Sequence, residues 1–245
     1  MVSVMFQIKE EIQNNRIDRK AYFIAKRLFD VIFSMAALAV LAVPMALIIL
    51  LIKIESPGPA IFVHNRFGKN GHPLPLLKFR SMHLNAEQMI ELFTPEQREE
   101  WEQNFKLEDD PRITKIGRFL RRTSLDELPQ LFNILKGDMS LVGPRPELPH
   151  FVNQFKEEIP LYMVKHQVRP GITGWTQTHG RKDVEWHRRI ELNVWYVDHL
   201  TMWLDIKILF LTVFKVVTNA DNENRGATVA SGENTQNKEP VESGK

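Results

Sequence analysis

Two adjacent carboxylates, Asp126 and Glu127, follow directly on a dense run of cations: Lys115, Arg118, Arg121 and Arg122, with Arg112 a little upstream. Cations gather where phosphate oxygens are held, and a carboxylate pair can supply a nucleophile or ligands for a divalent metal. Together they point to chemistry on a phosphate ester or anhydride. The same residues also carry a structural reading. Ser124, Leu125, Asp126 and Glu127 spell a capping box, in which the serine and the glutamate satisfy each other's backbone donors. Pro129 is best tolerated in the first turn of a helix. A helix starting there leaves the acids just before an N-terminus, where free N–H groups attract anions. On the residues alone, catalysis and capping both stay open.

Three further cationic motifs accompany the pair. In Gly143-Pro144-Arg145-Pro146 two prolines hold an arginine on a stiff loop, and a preset guanidinium fork fits phosphate oxygens; a plain structural turn is the alternative. Lys78 and Arg80 lie two residues apart, hence on one face of a strand, or else form a solvated surface pair. Arg169 opens a second loop shaped by Pro170, Gly171 and Gly174, where the glycines can be simple turn residues. The eight histidines show no metal-ligand spacing, and neither glycine-rich nucleotide-binding motif is present. With no cysteine, disulfides, thiolate metal sites and a cysteine nucleophile are excluded. A net charge of only +2 argues against a broadly basic nucleic-acid binder, since the charge is local.

The elements that must carry these groups begin with a membrane signal. From Val31 to Ile52, 22 positions hold no charged residue, enough helix to cross a bilayer core of about 30 Å. Pro44 near its middle removes a helix hydrogen bond and predicts a kink. Lys20, Lys26 and Arg27 precede the run, and Lys53, Arg66 and Lys69 follow it. Basic flanks prefer the cytoplasmic side, so a bent, re-entrant helix suits both ends better than a straight span. A cleaved signal peptide fits poorly because thirty mostly polar residues come first. A buried core helix of a soluble protein is the other alternative.

The expected fold is α+β and mainly helical. Residues 1–29 form an amphipathic or polar lead-in, 30–55 a re-entrant membrane helix, 56–218 a cytoplasmic catalytic domain and 219–245 a disordered tail. Strands are expected at 60–63 and 74–79 around the turn at Gly68–Gly71. Helical composition covers 85–106, divided at Pro95 with Thr94 as cap, and a helix bearing the cations is expected to begin at Asp110-Pro111. Leu128, Leu131, Phe132 and Leu135 follow a helical stripe closed by Gly137. Residues 148–167 and 184–200 read as amphipathic helices, and 202–217 as an interfacial or core helix.

In order, the chain carries a basic lead, an apolar run with a central proline, Ser56-Pro57-Gly58-Pro59, Arg66-Phe67-Gly68, Lys78-Phe79-Arg80-Ser81-Met82, Asp110-Pro111-Arg112, Leu125 to Gln130, Gly137-Asp138-Met139-Ser140, Gly143 to Pro146 and Arg169 to Trp175. This succession, from about Lys26 to Val217, resembles the bacterial sugar transferases, or monotopic phosphoglycosyl transferases. The resemblance implies transfer of a phospho-sugar from a UDP-sugar to polyprenyl (undecaprenyl) phosphate with release of UMP. That would be the first membrane step of a surface polysaccharide or glycan, such as an exopolysaccharide or lipopolysaccharide, at the cytoplasmic face of the bacterial inner membrane. By the same resemblance Asp126 would be the nucleophile, forming a covalent phospho-sugar intermediate, and Glu127 would hold Mg²⁺. Lys78, Arg121 and Arg145 would lie near phosphates, with Asp138 and Asp198 as further site residues. Arg80, Arg112 and Arg169 join them as candidate phosphate binders from their motifs. Val43 stands before Pro44 where some small members have serine, and the chain resembles the minimal catalytic form. Partners would be the UDP-sugar, polyprenyl phosphate and membrane lipid, with no nucleic acid; a homo-oligomer stays open. A membrane-tethered metal-dependent phosphodiesterase and a non-enzymatic scaffold on anionic lipid are the competing classes.

Overall fold

The structure is a computed structural model that describes residues 20–104, 107, 109–179 and 186–218. The first nineteen residues and the expected disordered tail therefore lie outside the described residues. The dominant element is helix α1, Lys20–Glu55, which runs on through Pro44. It starts at Lys20, so ten residues expected in the lead-in form its first turns. Most of its apolar side chains face outward, with Val40 77% and Val43 70% exposed. A core helix of a soluble protein would bury them, so that alternative does not hold. Where α1 does touch the rest of the chain, it uses a polar stripe first and an apolar one later: Lys26, Asp30 and Ser34, then Met45, Ile48 and Ile52. These positions repeat at three- and four-residue intervals, one face of a helix.

Beyond α1 come strands β1 (Ile61–Phe67) and β2 (Pro73–Phe79), an antiparallel hairpin as expected, with Phe62 opposite Lys78 and Arg66 opposite Leu74. The region expected as two helices holds a 3₁₀ segment, Gln88–Leu92, and helix α2, Pro95–Asn104. Thr94 caps α2 reciprocally: its hydroxyl accepts from the Gln97 amide, and the Gln97 side chain accepts from the Thr94 amide.

Helix α3 spans Lys115–Thr123, not from Asp110 as the sequence suggests. Asp110 instead turns back on Arg112, taking its amide and its guanidinium, and Thr114 is the true N-cap. Helix α4, Gln130–Lys136, closes on Gly137 in the left-handed region (φ 93°), as expected. A parallel pair unforeseen from sequence follows: β3, Ser140–Val142, and β4, Gly171–Thr173. Between them lie α5, Pro149–Glu158, and a 3₁₀ segment, Tyr162–Gln167, which replace one long helix. Helices α6 (Trp175–His179), α7 (Trp186–Asp198) and α8 (Met202–Thr218) complete the chain.

The main core joins Leu131, Ile134, Val142, Tyr196 and Ile208 with the partly buried Leu38 and Leu41 of α1. A second core packs Met45, Ile48 and Ile52 of α1 on Phe79 and Leu120. Both cores include α1, so the long helix is an integral wall of the domain and not a tether. Two of its inner polar residues are satisfied: Lys26 pairs with Asp205 at 2.5 Å, and Asp30 accepts from the Ser140 hydroxyl and the Leu141 amide, while the buried Ser34 hydroxyl has no hydrogen-bond partner among the described residues.

Candidate active site

Asp126 and Glu127 sit in a one-turn 3₁₀ segment, Leu125–Glu127, wedged between α3 and α4. What aims them is Ser124, a non-glycine residue in the left-handed region (φ 58°, ψ 15°), whose amide closes α3 on Arg121. Such a conformation costs energy and persists only where its surroundings enforce it. The capping box is absent. The Ser124 side chain makes no cap bond, and the Glu127 carboxylate turns to cations instead.

Cations reach the acid pair from three directions. Lys78 on β2 lies 2.8 Å from Glu127 Oε1 and 3.4 Å from Asp126 Oδ2. It points away from the core because its neighbour Phe79 points in. Arg145 reaches the same Oε1 at 3.1 Å. Its loop is held as the prolines suggest: Pro144 and Pro146 are buried while Arg145 is half exposed. The loop is also pinned from both sides, since the Pro144 carbonyl accepts from Gly171 and the Glu147 carbonyl from Phe67. Gly143 and Gly171 allow the backbones to meet; a Cβ on Gly171 would stand 2.1 Å from the Gly143 nitrogen. Arg121, from α3, donates to the Ser81 hydroxyl at 2.8 Å, and its charge is felt at Asp126.

The two carboxyls are driven apart. For Asp126, 8% exposed, burial pushes the carboxyl above the ordinary range; Lys78 pulls it down and ionised Glu127 pushes it up again. For Glu127, burial also opposes charge, but Arg145 and Lys78 outweigh it and hold the carboxyl at about 2. Two neighbouring acids with opposite shifts can take different roles.

The other candidates are placed elsewhere. Arg80 follows β2 rather than continuing it, and its guanidinium donates to the Ser56 and Pro57 carbonyls, bracing the exit from α1. Lys78 and Arg80 therefore do not share a face at the site. Arg112 is buried, forked onto Asp110 and stacked over Trp101 at 4.2 Å. Arg169 donates to the Gly137 carbonyl and lines a small cavity with Tyr22, Lys26 and Tyr196. All three spend donors on the fold. Asp138 is half buried just past the Gly137 cap, and Asp198 is the last residue of α7.

Sequence reasoning missed Glu55. Its carboxylate receives the Lys115 and Ile116 amides at 2.7 and 2.9 Å, capping α3 from the end of α1. No local signal could announce it, since the partners are sixty residues apart. It also missed Arg66 and His64, whose alternation along β1 puts them on the face of Lys78.

Among the described residues no group of three or more His, Asp or Glu converges on one point. Mg²⁺ does not need one, since it is commonly held by one or two carboxylates together with water and substrate phosphates. The Asp126–Glu127 pair offers hard oxygen donors of that kind, and the ionised Glu127 fits the role.

Residues 21–219 match a family described as bacterial sugar transferase. The chain is 46% identical over 213 residues to an undecaprenyl-phosphate galactose phosphotransferase of Salmonella typhimurium, covering 86% of this chain and 44% of that protein. It is 40% identical over 200 residues to the UDP-glucose:undecaprenyl-phosphate glucose-1-phosphate transferase of Escherichia coli, covering 79% and 40%. An uncharacterized sugar transferase of Bacillus subtilis is 41% identical over 200 residues, covering 80% of this chain and 89% of that protein. The chain thus spans less than half the length of the first two. Its own 21–219 match covers most of its length, and the chain belongs to the bacterial sugar transferase family.

Proposed function

We propose that this chain transfers a phospho-sugar from a UDP-sugar to a polyprenyl phosphate at the membrane surface, with release of UMP. The observation that carries the reading is the split acid pair under converging cations. Asp126, ionised but poorly solvated, is the nucleophile. Its oxygen attacks the sugar-bearing phosphorus, the bond from that phosphorus to the UMP oxygen breaks, and UMP leaves with the electron pair. An oxygen of polyprenyl phosphate then attacks the same phosphorus and frees Asp126, giving the polyprenyl diphosphate sugar. Lys78, Arg121 and Arg145 offset the repulsion between an anionic nucleophile and an anionic phosphate. Glu127 would hold Mg²⁺, which when bound would neutralise charge on the phosphoryl oxygens.

The lipid acceptor fits α1. Its exposed apolar surface suits a bilayer, and both of its ends are gripped by one body: Arg27 by the Ile134 and Leu135 carbonyls, Glu55 by the amides of α3. A straight span would put those partners on opposite sides of the membrane. We therefore favour a re-entrant α1 with the catalytic domain on the cytoplasmic side of the bacterial inner membrane, where nucleotide-sugars are made. The exposed face of α8, with Trp203, Ile206, Phe210 and Phe214, would rest in the same interface.

The test is UMP release from a panel of UDP-sugars, with and without undecaprenyl phosphate. One sugar should support turnover only with the lipid, and that UDP-sugar alone should leave a phospho-sugar adduct on Asp126 by mass spectrometry. Lipid-independent hydrolysis would favour a phosphodiesterase.

A further inference from the structure

The positive charge around the acid pair does not stop at Lys78, Arg121 and Arg145. Phe62, His64 and Arg66 alternate along β1 and share the sheet face on which β2 presents Lys78, directly opposite Phe62. Arg66 is held loosely for an inward-facing arginine. One terminal nitrogen reaches the Pro146 carbonyl at 3.5 Å and the other the His64 Nδ1 at 3.4 Å, while its buried Nε has no hydrogen-bond partner. A guanidinium has five donors, and those withheld from water normally find acceptors. Its electrostatic neighbours are those of the site. Burial and then Arg145 bring Arg66 down to about 10, with Glu147 and Glu127 pulling back. His64 beside it is held at about 4 by burial, Arg66 and Lys78, so its ring is neutral at physiological pH and its Nδ1 can accept from Arg66.

The local charge does not balance. Glu147 is taken by Lys165, which is buried at 3.7 Å from it. Asp110, which also acts on Arg121, is matched by Arg112. Set against their own cations, Glu147 and Asp110 leave four cations, Lys78, Arg66, Arg121 and Arg145, to two acids, Asp126 and Glu127. A surplus of about two positive charges is costly when partly buried and is relieved by an anion of about two negative charges, the charge of a phosphate ester or a diphosphate diester.

Resting on the phosphate-transfer reading above, we infer that Arg66 is a further substrate-binding residue, which donates to a phosphoryl oxygen of the diphosphate or of the lipid phosphate, and that His64 is the positioning residue that orients it. Arg66 sits on the strand wall facing the Arg145 loop, so the anion would lie between the two guanidinium groups. The interaction is made to the bound substrate, so its loss acts on affinity before rate.

The experiment uses the full detergent-solubilised chain and inorganic pyrophosphate as probe. Calorimetric titration of wild type, Arg66→Gln and Arg66→Lys should show pyrophosphate affinity falling about tenfold in the glutamine variant and less in the lysine variant. Steady-state kinetics then separate the sources: a KM raised about tenfold for the UDP-sugar alone assigns the diphosphate, and for undecaprenyl phosphate alone the lipid phosphate, with kcat falling less than KM rises in either case. Should the variants not fold, phenylglyoxal modification of the wild type, mapped by mass spectrometry, reads the same point, and pyrophosphate should protect Arg66. Unchanged pyrophosphate affinity with both KM values at wild type, or no protection of Arg66, overturns the inference. If no UDP-sugar yields UMP while pyrophosphate still protects Arg66, the transfer reading falls and the anion site stands.

Discussion

Two carboxylate–arginine clusters lie within twenty residues of each other and do opposite things. At Asp110–Arg112 one acid meets one cation in a two-pronged bond at 2.7–2.8 Å, both side chains are 5% exposed, and Phe93 and Trp101 cover the guanidinium. At Asp126–Glu127 two acids meet Lys78 and Arg145 at 2.8–3.4 Å, with Arg121 and Arg66 adding charge from farther off, and Arg145 is half exposed. The first cluster is complete and closed. The second is unbalanced and open, so it can still gain from a ligand. Charge stoichiometry and closure separate scaffold from site here; residue type does not.

The largest expected effect lies in the open cluster. Asp126→Asn should lower UMP release at least about a thousandfold while leaving the fold intact, measured by turnover and by circular dichroism. Retained activity of more than a few per cent would make the open cluster a second scaffold. Glu127→Gln comes next: turnover and its Mg²⁺ dependence should fall on the order of a hundredfold with little change in thermal midpoint. Loss of stability without loss of rate would reinstate the capping role. The closed cluster should show the inverse pattern. Arg112→Met leaves Asp110 buried without its partner and should cost about 3–5 kcal/mol of stability, seen in denaturant unfolding, while UMP release per folded molecule stays near wild type. A rate loss in the folded fraction would instead place Arg112 in the site.

The smallest effect is in pH dependence. As the proposed nucleophile, Asp126 must be ionised, and burial puts its carboxyl above the ordinary range. The rate should therefore fall on the acid side at a pH higher than a free aspartate would give. Glu127, at about 2, should contribute no limb there. Lys78→Met removes a charge that favours ionised Asp126, so the acid limb of kcat/KM should move to higher pH. A limb that stays put would separate Lys78 from Asp126.

The sequence made the acid pair and its nearest cations legible because Lys78, Arg121, Asp126, Glu127 and Arg145 sit in short motifs with distinctive chemistry. The hairpin and the Gly137 and Thr94 caps were legible because turns and caps are local events. What Arg80, Arg112 and Arg169 bond to was not legible for the converse reason: a cation's type says what it can bind, and only the folded chain shows which carbonyl or carboxylate its donors meet. Asp110 is near Arg112, but the carbonyls held by Arg80 and Arg169 lie 23 to 32 residues away. The β3–β4 pair was invisible because three-residue strands carry no period. The start of α3 was mistaken because Asp110-Pro111 looks like a helix start, whereas the aspartate prefers its own backbone two residues on.

The carboxylate of Glu55 has a mechanical consequence. It ends α1, the long apolar helix proposed to enter lipid, and caps the helix that delivers Arg121 and then Asp126. Any change of bilayer thickness that tilts α1 must displace Glu55, and Glu55 draws the first turn of α3 with it. The nine residues of α3 form a stiff lever ending at Ser124. With α1 in the bilayer as proposed, acyl-chain length would be coupled to the aim of Asp126, and the enzyme would act as a gauge of the membrane in which it sits.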